Sequence, residues 1–531
     1  MSKRIIMQTQ QKNICVIGAG CSGLVAIKEL LDEGHQVTCF ETLDKPGGNF
    51  YCSDNVEISG SYDSTMLTIS NYMMAYSSYP PALSEQRKFW SAREYQEYLL
   101  DFTKHFSLDQ HITYENAVNN VKKLDNGKFH VDVRSTHDET QVSSFTFDAI
   151  AVCTGSSRVP KYIDIKGLET FKGDVYHSAF YKNSKPYTGR SALCIGMGET
   201  GVDVASEIAG VAGKCMLSLR QRQPSVERFP LAKEHPSDAY TSHFLYAMPV
   251  SAGNARMKLQ FKAMKKFGKE EKTRAFADWN LKAGNYFNYF NLKSDVFVDR
   301  IVDNKMAVNT SGIDYLGEDY VAFNDGHKES IDMIMLNTGY TDKFDFLEDI
   351  KLPDMRQLYK HMIHPDLGCD IVFIGWARPA VGGVPACSEM QSRYFALLCS
   401  GKKQLPEMHK LKQLIAQQAF YEDEVYFKNR NVRSLVHYTG YMADFSKVIG
   451  CSPWRLSTFL NPILTYRLWV GSQMPSFYRL YGPHSNYDEA KKSIFNVPIA
   501  FNLIEAAVLT TYTLLTRGLA TLGIIKADPK Y

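Results

Sequence analysis

Two glycine clusters carry the first chemical message in this 531-residue chain: GAGCSG at residues 18–23 and GMGETG at residues 196–201. Glycines spaced G-x-G-x-x-G suit a diphosphate. The first makes a tight turn, the second lets backbone approach the phosphate oxygens, and the third lets a helix close on a strand, so that unpaired N–H groups at the helix start face the anion. Gly18, Gly20 and Gly23 take these roles in the first cluster, and Gly196, Gly198 and Gly201 in the second. Ser22, Glu199, Thr200 and Asp203 lie in the same loops or just after them and join the expected cofactor-binding residues.

Such loops work only between a strand and a helix. NICVI (13–17) reads as a strand, LVAIKELLDEG (24–34) as a helix stopped by Gly34, and QVTCF (36–40) as the returning strand, with Glu41 at its end. The pattern recurs as SALCI (191–195), VDVASEIAG (202–210) and KCMLSL (214–219), but the position of Glu41 is now held by Arg220, with Arg222 just beyond. A carboxylate accepts from a ribose diol, whereas a guanidinium pairs with a 2′-phosphate. The first unit therefore predicts FAD and the second NADPH. Continuous apolar strands fit parallel sheets buried on both faces. The predicted fold is α/β, with two Rossmann-like dinucleotide-binding domains, the NADPH domain inserted into the FAD domain. Expected boundaries are 1–159 and 331–450 for the FAD domain, 160–330 for the NADPH domain with a helical, aromatic insertion, and 451–531 for a C-terminal helical segment.

Two dinucleotide sites imply an electron relay from nicotinamide to flavin and onward. The eleven cysteines contain no C-x-x-C or C-x4-C pair, so neither a dithiol acceptor nor a zinc site is written here, and oxygen is the remaining common acceptor. With a net charge of +3 and 22% charged residues, nucleic acid is not an expected partner. The opening MSKRIIMQTQQK lacks an apolar run of signal-peptide length, so entry to the secretory lumen is not expected. His361 and His364 have helical spacing for a metal but no third ligand nearby, and no role is assigned to them.

FKGDVYHSAFY (171–181) fits F-x-G-x-x-x-H-x-x-x-Y, the pattern that marks the flavin-containing monooxygenases, through Phe171, Gly173, His177 and Tyr181. The resemblance extends through ETLDKPGGNF (41–50), DAIAVCTGSS (148–157), IDMIMLNTGY (331–340), DIVFIGWARP (370–379), SEMQSRY (388–394) and MPSFYRLYGP (474–483), the last similar to the long, animal-type members. It implies cofactor contacts at Gly48, Asn49, Phe50 and Gln391. It implies NADPH- and O2-dependent oxygenation of a nucleophilic nitrogen or sulfur of a small molecule through a C4a-hydroperoxyflavin, of the N,N-dimethylaniline monooxygenase type. Baeyer-Villiger oxygenation of a ketone and an uncoupled NADPH oxidase making hydrogen peroxide stand as alternatives. His177 is expected to order the NADP loop, and CTGSS and NTGY to mark crossovers between the domains.

Departures from the family pattern gather near the flavin. Thr68 stands where most members carry an asparagine, with Ser70 or Asn71 as substitutes if the loop shifts. Phe50 replaces a tryptophan, and Asn337 an alanine. Thr68 is the expected catalytic residue. The C-terminal stretch from Pro498 is apolar, but its longest uncharged run, residues 506–516, is eleven residues, short of the roughly 20 needed to span a bilayer. MKLQFKAMKKFGK (257–269) places Met257, Phe261, Met264 and Phe267 on one helical face among lysines. Both segments are candidates for a membrane surface, which points to the cytoplasmic face of the endoplasmic reticulum or otherwise the cytoplasm, and leaves homo-oligomerisation open. AGNYFNYFN (283–291) is read as the lining of an apolar substrate path or as core.

Overall fold

The computed structural model describes residues 11–230, 234–347, 350, 354–426 and 432–529. Along the chain run β1 (Asn13–Ile17), α1 (Cys21–Asp32), β2 (Gln36–Phe40), β3 (Met66–Ser70), α2 (Ala92–His105), β4 (Ile112–Thr113) and β5 (Ala149–Val152). Next come β6 (Asp174–His177), β7 (Ser191–Ile195), α3 (Glu199–Val211), β8 (Lys214–Ser218), β9 (Ser225–Val226), α4 (Val250–Phe267), β10 (Leu292–Lys293), β11 (Ala307–Asn309) and β12 (Met333–Leu336). The elements that complete the site are β13 (Ile371–Phe373), α5 (Val384–Cys399) and α6 (Leu503–Thr521).

Two parallel five-stranded sheets result. The first has the order β13-β5-β1-β2-β4 and the second β6-β12-β7-β8-β11. β1 pairs in register with β2 from Asn13 opposite Gln36 to Ile17 opposite Phe40, and β7 pairs with β8 from Ser191 opposite Lys214 to Ile195 opposite Ser218. Every residue of β5 and β12 is buried, as parallel strands covered on both faces require. The second sheet is inserted between strands of the first, and the two crossing segments lie side by side as a ribbon, Val159 opposite Thr341 and Pro160 opposite Tyr340. The fold is the expected one, with two dinucleotide-binding units.

Both glycine-loop helices start earlier than their apolar periodicity suggests. α1 begins at Cys21 rather than Leu24, and α3 at Glu199 rather than Val202, because the last residues of each glycine motif already form the first helical turn. Gly34, with φ of +85°, ends the first unit's helix as its position predicts.

Two outlying regions differ in burial. In α4, Phe261 is buried and Met257 and Met264 half-buried, while Leu259 and Phe267 face solvent among the lysines. The apolar face read for this helix is therefore mostly spent inward. On α6, Leu503, Ile504, Val508 and Leu515 are exposed, and Trp469 Nε1 donates to Thr510 Oγ1 at 3.2 Å, joining α6 to the segment that carries exposed Leu456, Leu460 and Ile463. Among the described residues no helix is long and apolar enough to cross a membrane. His361 lies in a tight turn and bonds the Glu422 carboxylate through Nε2 at 2.8 Å, so the helical spacing read for His361 and His364 is not a helix.

Candidate functional site

The two glycine loops share a design. Gly18 and Gly196 turn with φ of +98° and +102°. A Cβ on Gly23 would sit 1.8 Å from the Gly18 carbonyl oxygen, and one on Gly201 would sit 2.9 Å from that of Gly196, so only glycine lets each helix close on its strand. Neither α1 nor α3 has a side-chain cap at its N-terminus, whereas α2 and α6 are closed by capping boxes, Ser91 with Glu94 and Asn502 with Glu505. The N–H groups that begin α1 and α3 are thus left for another acceptor, which is what a diphosphate supplies. The chain fits the two dinucleotides its loops call for.

In the first unit the Glu41 carboxylate is buried and already organised. It accepts from Ala19 N–H at 2.6 Å through one oxygen, and from Leu43 N–H at 2.9 Å and the Thr42 hydroxyl at 3.1 Å through the other. It braces the glycine loop and presents its remaining lone pairs. Gly48, with φ of +55°, comes so close that its Cβ would lie 3.0 Å from Gly20 Cα, so the double-glycine turn and the first loop pack backbone to backbone. Asn49 is exposed on that turn, and its carbonyl accepts from Ser61; Phe50 packs edge-on against Tyr95 at 4.7 Å. Two other predicted contacts face into the protein. The Ser22 hydroxyl pairs with Ser388 on α5 at 2.9 Å. Gln391, fully buried, accepts from Gly375 N–H at 3.0 Å and donates to Tyr441 at 2.9 Å, bracing α5 against the end of β13.

The second unit is more open. Gly198 and Arg220 are exposed, and a Cβ on Gly198 would meet nothing within 4 Å. Arg222 instead lies over the Trp279 ring at 5.3 Å and is occupied in packing. Thr200 is half-buried on the first turn of α3. Behind the loop, Asn337 takes the position that Cys153 takes in the first unit, and both polar atoms of its buried amide lack a partner among the described residues.

Several side chains tie this loop to the first domain. Glu199 pairs with Arg378 at 3.2 Å, and the Arg378 guanidinium covers the Phe290 ring at 4.2 Å. Asp203, one turn into α3, accepts from the Tyr62 hydroxyl at 3.1 Å and faces Arg228 at 3.5 Å; burial pushes its pKa up to about 6. Tyr181 of the 171–181 motif donates to Glu207 at 2.7 Å, and Ser64 donates to the same carboxylate. Arg228 donates to the carbonyl oxygens of Leu67 and Met66 at 3.3 and 3.1 Å, gripping the strand on which Thr68 stands half-buried. Two residues on, the Asp238 carboxylate accepts from Ser70 N–H at 2.6 Å and from Arg87. β3 is thus held from several sides beside the seam between the units. His177 accepts from Ala179 N–H through Nδ1 and lies 3.3 Å from the Thr338 hydroxyl, with burial lowering its pKa, the arrangement of a neutral ring that orders a turn.

The aromatic stretch 283–291 contributes Phe287, Tyr289 and Asn291 to a hollow closed by Tyr246, Val381 and His437. It measures about 440 Å³ out to its open mouth, with about 30 Å³ in which a water-sized guest moves freely. Arg228, Arg378 and Lys293 were not singled out by sequence reasoning. None lies at a motif spacing, although Arg378 falls within DIVFIGWARP.

The chain matches the model of the family described as "FMO-like: Flavin-binding monooxygenase-like" over residues 11–506. It is 36% identical over 494 residues to a 4-hydroxybenzoate brominase (decarboxylating) of Marinomonas mediterranea, covering 92% of this chain and 93% of that protein. It is 29% identical to flavin-containing monooxygenase 5 of Homo sapiens, covering 95% and 96%. Among solved structures, an S-allyl-L-cysteine S-oxygenase from Allium sativum superposes with a TM-score of 0.62 at 21% identity, covering 92% of this chain and 98% of the other.

Proposed function

This chain belongs to the flavin-binding monooxygenase-like family, and on that premise we propose that it performs an electrophilic substitution on a phenolic acid, with halide as the group introduced and the ring carboxylate as the group lost. FAD and NADPH are its cofactors, and together they supply the reduction of oxygen that makes such an electrophile available. One oxygen atom leaves as water. The other takes two electrons from the halide, and the oxidised halogen meets the ring carbon that bears the carboxylate, whose bonding pair returns to the ring as carbon dioxide departs.

The observation that carries this reading is the 36% identity to a decarboxylating brominase along nearly the whole of both chains, against 29% for the animal enzyme. The chain's own tasks are to hold the two dinucleotides, to keep β3 and Thr68 in place, and to limit water at the seam.

Oxygenation of a nitrogen or sulfur nucleophile is the second reading, favoured by the intact 171–181 motif. The two separate in one assay. Purified protein with FAD, NADPH and oxygen is given 4-hydroxybenzoate with and without bromide, and in parallel a tertiary amine and a thioether. Bromide-dependent formation of a brominated phenol with release of carbon dioxide is expected. An N-oxide or sulfoxide as the main product, with no dependence on bromide, overturns the first reading. We also place the chain on a bilayer surface through the exposed apolar residues of α6. Co-sedimentation with vesicles that is lost in Leu503→Asp/Ile504→Asp supports this, and no sedimentation of the unaltered protein refutes it.

A further inference from the structure

Lys293 is a feature of the seam that the reading above leaves without work. It is 9% exposed, at the end of the short strand β10, and among the described residues its ammonium nitrogen has no hydrogen bond and no ion pair. A buried cation without a partner is costly, and burial lowers the pKa of this amine. The charged groups facing it are Asp238, Glu199 and Arg228. Each is committed elsewhere: Asp238 to Ser70 N–H and Arg87, Glu199 to Arg378, and Arg228 to β3 and to the carboxylates of Asp203 and Asp295.

Strand pairing locates Lys293: β9 and β10 run parallel with Val226 opposite Lys293, and Arg228, two residues beyond Val226, grips the strand of Thr68 and faces Asp203 on α3, so β10 lies against the seam. Its own segment continues this placement. Phe290 lies under Arg378, Asn291 lines the aromatic hollow, and Leu292 is buried in the core. Alternation along an extended chain puts Asn291 and Lys293 on the side opposite Leu292. The Asn291 Oδ1 atom is buried and has no partner among the described residues either. Two uncommitted polar groups, one acceptor and one amine, thus share a side of the strand, with the acceptor at the edge of the aromatic hollow.

We propose that Lys293 is the base that ionises the phenolic hydroxyl of the substrate. The inference rests on the phenolic-acid reading above. The hydroxyl proton passes to the Nζ lone pair, leaving an ammonium beside a phenolate. Phenolate oxygen pushes electron density to the ring carbon opposite, which bonds the electrophile, and the ring becomes a dienone that still carries the carboxylate as an anion. Loss of carbon dioxide restores the ring as a phenolate, which recovers its proton from Nζ. No other oxidant or acid is needed.

The test uses the FAD-loaded enzyme with NADP+ and follows the ultraviolet difference spectrum on adding 4-hydroxybenzoate, without turnover. The unaltered protein is expected to show a phenolate band at a pH where free substrate is a phenol. Lys293→Met and Lys293→Gln, both still holding FAD, lose that band, and kcat/KM falls on the order of a hundredfold. Their activity then rises with pH in step with ionisation of the free phenol, and a ring-fluorinated, more acidic substrate restores part of it. No phenolate band with the unaltered protein, or the same band and pH profile in both variants, overturns the proposal. A phenolate band without any bromide-dependent product supports Lys293 as the base while refuting halogenation, so the two failures are distinguishable.

Discussion

The two glycine-loop units come from one pattern and are finished differently. In the first, Glu41 is buried and bonded to the loop it serves, Gly48 closes over Gly20, and the small Cys153 fills the rear. In the second, Arg220 and Gly198 face solvent, and the rear holds Asn337 with an amide that bonds nothing among the described residues. The first is built as a holder and the second as a dock. A resident cofactor gains from donors fixed before it arrives, while a co-substrate that must leave each cycle is better served by one strong, exposed charge.

The contrast breaks most visibly at the glycines. Gly23→Ala forces a Cβ to 1.8 Å from the Gly18 carbonyl oxygen, so loss of most bound FAD and a lowered melting temperature are expected. Gly201→Ala, at the matching position of the second unit, meets the Gly196 carbonyl oxygen only at 2.9 Å and should leave FAD content unchanged. Flavin absorbance per chain after gel filtration checks both, and equal behaviour of the two variants removes the asymmetry.

At the seam the effect is a pH slope. The Asp203 pKa rises from 3.8 to about 6 in the fold, so its contribution to stability is full below pH 4 and lost as pH climbs through 6. A shift of about two units corresponds to about 3 kcal/mol. Asp203→Asn should flatten the melting-temperature profile between pH 4 and 6, and an unchanged slope there excludes Asp203 as its source.

Arg220→Ala addresses the dock itself. Charge-assisted hydrogen bonds contribute roughly 1.5–3 kcal/mol, so the NADPH KM should rise on the order of tenfold to a hundredfold while NADH use stays level. Equal losses with both nucleotides refute a 2′-phosphate contact. The smallest effect belongs to Asn337→Ala, which removes an unpartnered buried amide and should change stability by about 1 kcal/mol or less with the NADPH KM unaltered. A large rise in KM assigns that amide to the nucleotide.

The architecture was legible because strand, glycine turn and helix are local. Asn13–Ile17, Gln36–Phe40 and Ser191–Ile195 form as their apolar runs dictate, and Glu41 and Arg220 stand at the ends of the strands that set them. The seam was not legible. Arg228 reaches the carbonyls of Met66 and Leu67 across about 160 residues, and Arg378 reaches Glu199 across about 180, distances over which no spacing rule operates. Ser22 and Gln391 show the same limit from the other side. Their positions place them near the flavin unit, but their hydrogen bonds turn to Ser388 and Tyr441, partners that only packing selects. Lys293 could not be singled out because what matters is the absence of a partner, which a sequence does not display.

The most direct measurement is the fate of the two nucleotides when one sample, loaded with both FAD and NADP+, is passed through a desalting column and its retained nucleotides are quantified by chromatography after denaturation. One FAD per chain with NADP+ largely washed away is the predicted result. Retention of both in equal amount, or loss of FAD as readily as NADP+, contradicts the division between holder and dock.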